Sequence, residues 1–185
     1  MKTTLLILLL ALSTSLTGYA QTERGAKMIG GSGSVNFNNG VSVYLLPRLG
    51  YFVTEDLAVG SGVLLGYSRY KNQEMTLRNT HVGLQPFARY YFGAPKATRV
   101  FAQADVSIVH TRRSGVNFFP DYGNKVSFTD TTVGGGIGLV HFLTQQVGLE
   151  ALVGYRNNTT GFENFGRGFG VTFGLQIHLP SAAGQ

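Results

Sequence analysis

The sequence predicts an all-β chain, an eight-stranded antiparallel up-and-down transmembrane β-barrel, and three observations carry that prediction. The first is a stretch of roughly ten residues with apolar side chains at alternate positions, repeated about eight times. One copy sets Leu57, Val59, Val63, Leu65 and Tyr67 on one face and Ala58, Gly60, Gly62, Gly66 and Ser68 on the other. The second is charge: only 13% of the 185 residues are Asp, Glu, Lys or Arg, against about 25% in ordinary soluble domains. A soluble barrel alternates too, but its outer face carries Lys, Glu and Asp, and here neither face does so regularly. The third is that no later segment approaches the ~20 apolar residues of a spanning helix. In a bilayer such a chain must close its backbone hydrogen bonds as a barrel.

Residues 1–20 read as a signal peptide, leaving residues 21–185 as the barrel domain. Lys2 supplies the positive start, Leu5–Leu12 the apolar run and Gly18-Tyr19-Ala20 a small-x-small cleavage site. The run is too short to span a membrane. Cysteine is absent, so disulfides and thiolate chemistry are excluded, although export would permit them.

Eight strands follow in order: Lys27–Phe37, Val41–Phe52, Leu57–Tyr70, Thr80–Phe92, Arg99–Thr111, Phe128–Phe142, Val147–Asn157 and Gly168–Leu179. A strand of about ten residues, tilted, climbs the ~25 Å of an apolar band, and an even number lets the sheet close. The connections alternate. Val53–Asp56, Gly93–Ala97 and Leu143–Gln146 are short, whereas Lys71–Asn79, Arg112–Ser127 and Asn158–Arg167 are longer and more polar. Short turns belong to the periplasmic side and long loops to the outside, which places both termini in the periplasm. Asn38-Asn39-Gly40 is a short hairpin turn on the outer side.

Aromatics fall at strand ends, as girdles do. Tyr51, Phe52, Tyr90, Tyr91, Phe92, Phe101 and Phe142 mark the periplasmic rim, and Phe37, Tyr67, Tyr70, Tyr155 and Phe169 the outer one. Parity turns Val41, Leu45, Leu49, Val82, Leu84, Ile108, Ile137, Leu139, Val153, Phe173 and Leu175, among others, toward lipid. Pro47 and Pro86 each remove a ladder donor from a central strand, so a bulge or bend is expected at both.

The chain resembles the small outer-membrane β-barrel domains common in Bacteroidota, broadly of OmpA/OmpX-like type. The resemblance rests on Leu49–Gly60, on Pro86–Phe92 and on Gly138–Glu150 with its Phe142-Leu143-Thr144 turn. It implies the outer membrane of a Gram-negative bacterium, and it is specific for architecture rather than activity. Thr172, Gly174, Ile177 and Leu179 also resemble the last-strand signal read by the outer-membrane assembly machinery, with Leu in place of the usual terminal aromatic. That machinery is thereby an expected partner during insertion.

The inward parity collects Arg48, Gln85, Arg89, Gln103, Asp105, Glu150, Arg156 and Gln176. Arg48, Arg89, Asp105 and Glu150 form the candidate lumen cluster. An eight-stranded barrel is just wide enough to be filled by side chains, and buried charges must pair. The expectation is a salt-bridged plug, and the alternative is a gate that passes small ions. Gly60, Gly62, Gly66, Gly134, Gly136 and Gly138 leave interior room for water or for large neighbours such as Phe87.

At the outer rim Arg69, Lys71, Arg112, Arg113 and Arg167 are the candidate contacts for lipopolysaccharide, whose phosphates suit arginine. His81, His110, His141 and His178 are scattered without metal-ligand spacing and read as surface or rim residues, so no metal or cofactor is expected. His110, Ser114 and Asp121 are the residues that an enzymatic reading would have to assemble. The glycine runs Gly30-Gly31-Ser32-Gly33 and Gly134-Gly135-Gly136 lack the helix and Lys-Ser/Thr of a phosphate loop. No nucleic-acid motif accompanies the net charge of +6. The function expected is a monomeric, non-enzymatic barrel with a structural or surface-interaction role in the envelope. A narrow porin-like channel is the second reading, and a lipid-modifying enzyme the third.

Overall fold

The computed structural model describes residues 23–37, 40–71, 76–94, 96–115, 125–158 and 168–181. They form eight strands: β1 (Lys27–Asn36), β2 (Gly40–Phe52), β3 (Leu57–Lys71), β4 (Thr76–Phe92), β5 (Thr98–Gly115), β6 (Lys125–Phe142), β7 (Val147–Asn158) and β8 (Gly168–Leu179). Each pairs antiparallel with the next, and β8 pairs with β1, so the sheet is a closed up-and-down barrel. Strand order and number are those read from the alternation. The main difference is length: β4, β5 and β6 run further at the end away from the short turns, starting or ending at Thr76, Gly115 and Lys125. Their polar ends break the apolar alternation, but the ladder carries them on as far as Leu77↔Gly115 and Ser114↔Lys125.

The closure is staggered. The circuit of partners Lys27, Tyr51, Val59, Ala88, Ala104, Gly135, Tyr155 and Phe169 returns, on the register of β8 with β1, to the level of Phe37 rather than Lys27. A stagger of this size tilts the strands by about 40–45° and leaves an interior that side chains can fill.

The pleat sorts the side chains. From Asn79 to Phe92 along β4, buried and exposed residues alternate without a break. The outer surface is apolar: Leu45, Leu49, Leu84, Ile108, Ile137, Val153, Phe173 and Leu175 are all exposed. Two short turns share one local design. In each, a threonine hydroxyl accepts backbone N–H bonds two and three residues on, Thr54 from Asp56 and Leu57 and Thr144 from Gln146 and Val147. Both described termini lie at this same end, where Gly25 N donates to Phe52 O and Ser181 N to the Glu23 carboxylate.

The prolines do not bulge. Registers on both sides of Pro47 in the β2–β3 ladder and of Pro86 in the β4–β5 ladder are continuous, and in each only two residues go unpaired. A bulge would have shifted the register by one residue. The missing N–H removes a rung and nothing more, because the neighbouring strands hold the frame.

The girdle at the turn end is corrected as well. Tyr51, Tyr90 and Phe92 do face outward, but Phe52, Tyr91, Phe101 and Phe142 are buried inside. On β2 and β4 the two sets sit on opposite parities of one strand, and Phe101 and Phe142 take inward positions of β5 and β6. The inward four pack with Met28, Phe87, Val140 and Leu152 into the one hydrophobic cluster described, inside the barrel.

Candidate functional site

Side chains from five strands, β2, β4, β5, β7 and β8, interlock by charge and hydrogen bonds in the lumen. Glu150 on β7 is the hub. Arg48 Nη1 on β2 donates to its Oε1 at 3.2 Å, and Arg89 Nη1 on β4 donates to its Oε2 at 2.7 Å. Gln176 Nε2 on β8 donates to the same Oε2. Asp105 on β5 takes Gln85 Nε2 and Gln103 Nε2, both at 3.0 Å, and Arg156 Nε at 3.3 Å. The two halves are joined by Gln103 Oε1, which accepts Arg89 Nη2 at 2.7 Å, and by Gln85 Oε1 at 3.5 Å from Arg48. All four predicted cluster residues, Arg48, Arg89, Asp105 and Glu150, are thus brought together, each at 4% exposure or less. At that burial unpaired charge would be very costly, and the network supplies the pairing.

Local sequence makes the room. A Cβ on Gly134 would come within 2.7 Å of Arg156 Cγ and 3.1 Å of Asp105 Oδ1, and one on Gly138 would strike the Phe101 ring. Gly60 and Gly66 are likewise set against the Phe87 and Tyr44 rings.

Below the ion network an aromatic layer closes the turn end. The Arg89 guanidinium lies 4.0 Å from the Phe101 ring centroid. Tyr91 stacks obliquely on Phe52 and Phe101, and His178 stands edge-on to Phe142 at 5.1 Å. Arg99 then seals the base: it is fully buried, bonds Asp56 Oδ1 at 2.7 Å and lies 5.2 Å over the Tyr91 ring. Sequence reasoning missed Arg99 because it was treated only as the first residue of a strand. Its parity, shared with Phe101 and Gln103, was the available signal.

Two histidines expected at the surface are inside. His81 and His178 are 2% and 0% exposed, on inward positions of β4 and β8. His81 Nδ1 bonds Thr111 at 2.9 Å, and His178 Nε2 bonds Gln176 at 3.2 Å. Spacing arguments address metal ligation and say nothing about which face a strand residue takes. His110 and His141 do lie on the outside. Among the described residues no group of three or more His, Asp or Glu is placed to hold a metal. His110 and Ser114 stand four positions apart on β5, roughly 13 Å along a strand. His110 Nδ1 meets Thr129 instead, at 3.1 Å. Asp121 lies outside the described residues.

At the opposite end from the turns, a basic group lies on the outer wall. Arg69 and Arg78 are direct cross-strand partners on β3 and β4, and both are exposed. Lys71 lies two residues beyond Arg69, and Arg112 faces Thr80 from β5, both exposed. Arg113 takes the other parity: its Nε donates to the buried Asn79 at 3.2 Å and its guanidinium lies 5.5 Å over Phe128. It therefore braces the mouth of the lumen rather than joining the outer group. Arg167 lies outside the described residues. No acidic side chain stands on the outward face of any described strand; Asp105, Asp130 and Glu150 are all buried.

The barrel matches a known outer-membrane fold. It superposes on the N-terminal β-barrel domain of Pseudomonas aeruginosa OprF with a TM-score of 0.52, at 18% identity, covering 84% of this chain and 98% of that one. Weaker matches are Neisserial surface protein A, at 19% identity over 82% of this chain and 93% of that one with TM-score 0.45, and the outer membrane enzyme PagL. The latter is 14% identical over 84% of this chain and 99% of that one, with TM-score 0.41. No family model and no curated protein matches the sequence. At these identities the likeness is one of fold.

Proposed function

We propose that this chain is an outer-membrane barrel with its termini in the periplasm, sealed to ions, that works by holding the phosphates of lipopolysaccharide on its outer wall. The observation that carries this reading is the Arg69–Arg78 pair. Like charges directly opposite on a sheet repel and destabilise it, and here no acid on the described outward faces offsets them. Lys71 and Arg112 extend the same patch. An anion between the guanidiniums turns the repulsion into bidentate, charge-assisted bonds. The patch borders the outward Tyr67, at the level where an aromatic girdle meets headgroups. The lumen supports the sealed state, since its charges are mutually paired above an aromatic layer.

The test is lipopolysaccharide retention. Folded protein carrying Arg69→Gln and Arg78→Gln is expected to retain about tenfold less lipopolysaccharide than wild type after detergent extraction. Lipopolysaccharide stripped of its phosphates is expected to bind both proteins equally weakly. Equal retention of intact lipopolysaccharide by wild type and variant would remove the proposal.

A further inference from the structure

The barrel is not zipped along its whole height. β1 pairs with β2 up to Asn36, and β8 pairs with β7 up to Gly168, but β1 and β8 pair with each other only from Lys27↔Leu179 to Ser32↔Gly174. Above that rung Gly33–Asn36 and Gly168–Phe173 face each other across an unpaired seam. Unpaired backbone groups are expensive in an apolar medium.

A cavity of about 400 Å³ in the lumen, lined from all eight strands, reaches this seam. Its inner wall is mixed: Leu46, Leu64 and Val109 line it with Arg48, Gln85, Ser107, Thr132 and Arg156, so a few polar and cationic groups stand in a largely apolar hollow. Its mouth, between Ser32–Ser34 and Val171–Phe173, is flanked by Leu45 and Phe173 on the lipid side. A second hollow of about 510 Å³ lies on the outer wall beside it, over Gly31 and Gly33 between Leu45, Pro47, Leu65, Phe173 and Leu175. The two share Ser32, Gly33, Leu45, Leu46 and Phe173, so they meet at the seam. The Gly30-Gly31-Ser32-Gly33 run thereby acquires a role: without side chains it floors an apolar trough leading from the bilayer into the lumen.

At the inner end Arg48 is 3% exposed, and its Nε has no hydrogen-bond partner among the described residues. Arg156 leans on Asp105 by contacts of 3.3 and 3.4 Å, with its side chain 28% exposed. The linked network holds Arg48, Arg89 and Arg156 against Asp105 and Glu150, an excess of a single positive charge. Asp130 and Arg113, nearer the mouth, offset each other in charge.

We infer that the seam is a lateral binding site for a single-chain amphiphile with a monoanionic carboxylate head, of the long-chain fatty-acid class. The carboxylate sits at Arg48 and Arg156 and neutralises the network's excess charge. The chain leaves through the β1–β8 seam and lies along the glycine trough, covering the unpaired strand edges. A dianionic phosphate head would overcompensate the single excess charge beside Asp105 and Glu150. This site is separate from the outer basic patch, and neither proposal depends on the other.

The test is native mass spectrometry of the folded protein in detergent with palmitate, methyl palmitate, hexadecyltrimethylammonium and hexadecyl phosphate as probes. The expected result is one palmitate per chain, at least about tenfold tighter than the neutral ester or the ammonium. Arg48→Gln, which removes the head contact, and Gly33→Leu, which fills the trough, are each expected to weaken palmitate binding by about tenfold. A gel shift on heating checks that each variant is folded. Should Arg48→Gln not fold, Gly33→Leu and the ester comparison decide alone. Absence of palmitate binding, equal binding of the ammonium, or unchanged binding in Gly33→Leu would overturn the site. Tighter binding of hexadecyl phosphate would overturn the carboxylate assignment.

Discussion

Glu150 shows how much one side chain can hold. It accepts from Arg48, Arg89 and Gln176, which come from strands far apart in sequence, and all are buried. Glu150→Ala strands two buried guanidiniums, so it is expected to cost about 3–5 kcal/mol, the usual penalty for breaking a buried pair from one side. Urea unfolding in lipid vesicles, followed by the gel shift on heating, measures it. The combined replacement Arg48→Met, Arg89→Met and Glu150→Leu is expected to cost much less, because it leaves no charge unpaired. If the single variant is as stable as wild type, the network does not hold the lumen together. Membership of this cluster was legible in the sequence, because parity alone turns Arg48, Arg89, Asp105 and Glu150 inward. Which residues pair was not legible, since pairing depends on how the stagger of eight strands levels them. Three inward residues, His81, His178 and Arg99, were passed over because they were read by chemical type and position rather than by face.

At the scale of the strand, the β6 glycines decide what the lumen can contain. Gly134 and Gly138 lie at inward positions where a methyl would meet Arg156 or the Phe101 ring. Gly138→Val is expected to destabilise the barrel by about 1–3 kcal/mol through overpacking, and to lower the fraction of heat-shifted protein after refolding into detergent. Phe101→Leu in the same chain is expected to restore part of that loss, because it withdraws the ring that the new side chain would strike. Failure of Phe101→Leu to restore any of it would show that the backbone around Gly138, rather than the ring, sets the limit. The prolines make the complementary point. Each loses one rung, yet the register continues unbroken past Pro47 and Pro86, because a strand paired on both sides is held by its neighbours.

For the whole molecule the question is whether anything crosses it. Paired charges from four strands, the aromatic layer of Phe52, Tyr91, Phe101 and Phe142, and Arg99 clasped to Asp56 stand in series along the axis. In planar bilayers the folded protein is expected to give no steady conductance steps. Reproducible steps that disappear in Glu150→Ala or Asp105→Ala would instead make the network a gate. The path that stays accessible is lateral, at the β1–β8 seam, where the ladder stops at Ser32↔Gly174.

The sequence by itself determined the fold class, the strand order and number, and the sorting of most side chains between lipid and lumen. All of these follow from a two-residue period and from the need to close every backbone hydrogen bond in an apolar medium. The same period also turns Phe52, Tyr91, Phe101 and Phe142 inward and separates Arg113 from Arg112, although chemical type suggested otherwise. Tertiary structure alone decided the ion pairs and the unpaired seam. The physical reason is that these depend on stagger and closure. They are set by where distant strands meet around the barrel, and that relation is absent from any local stretch of chain.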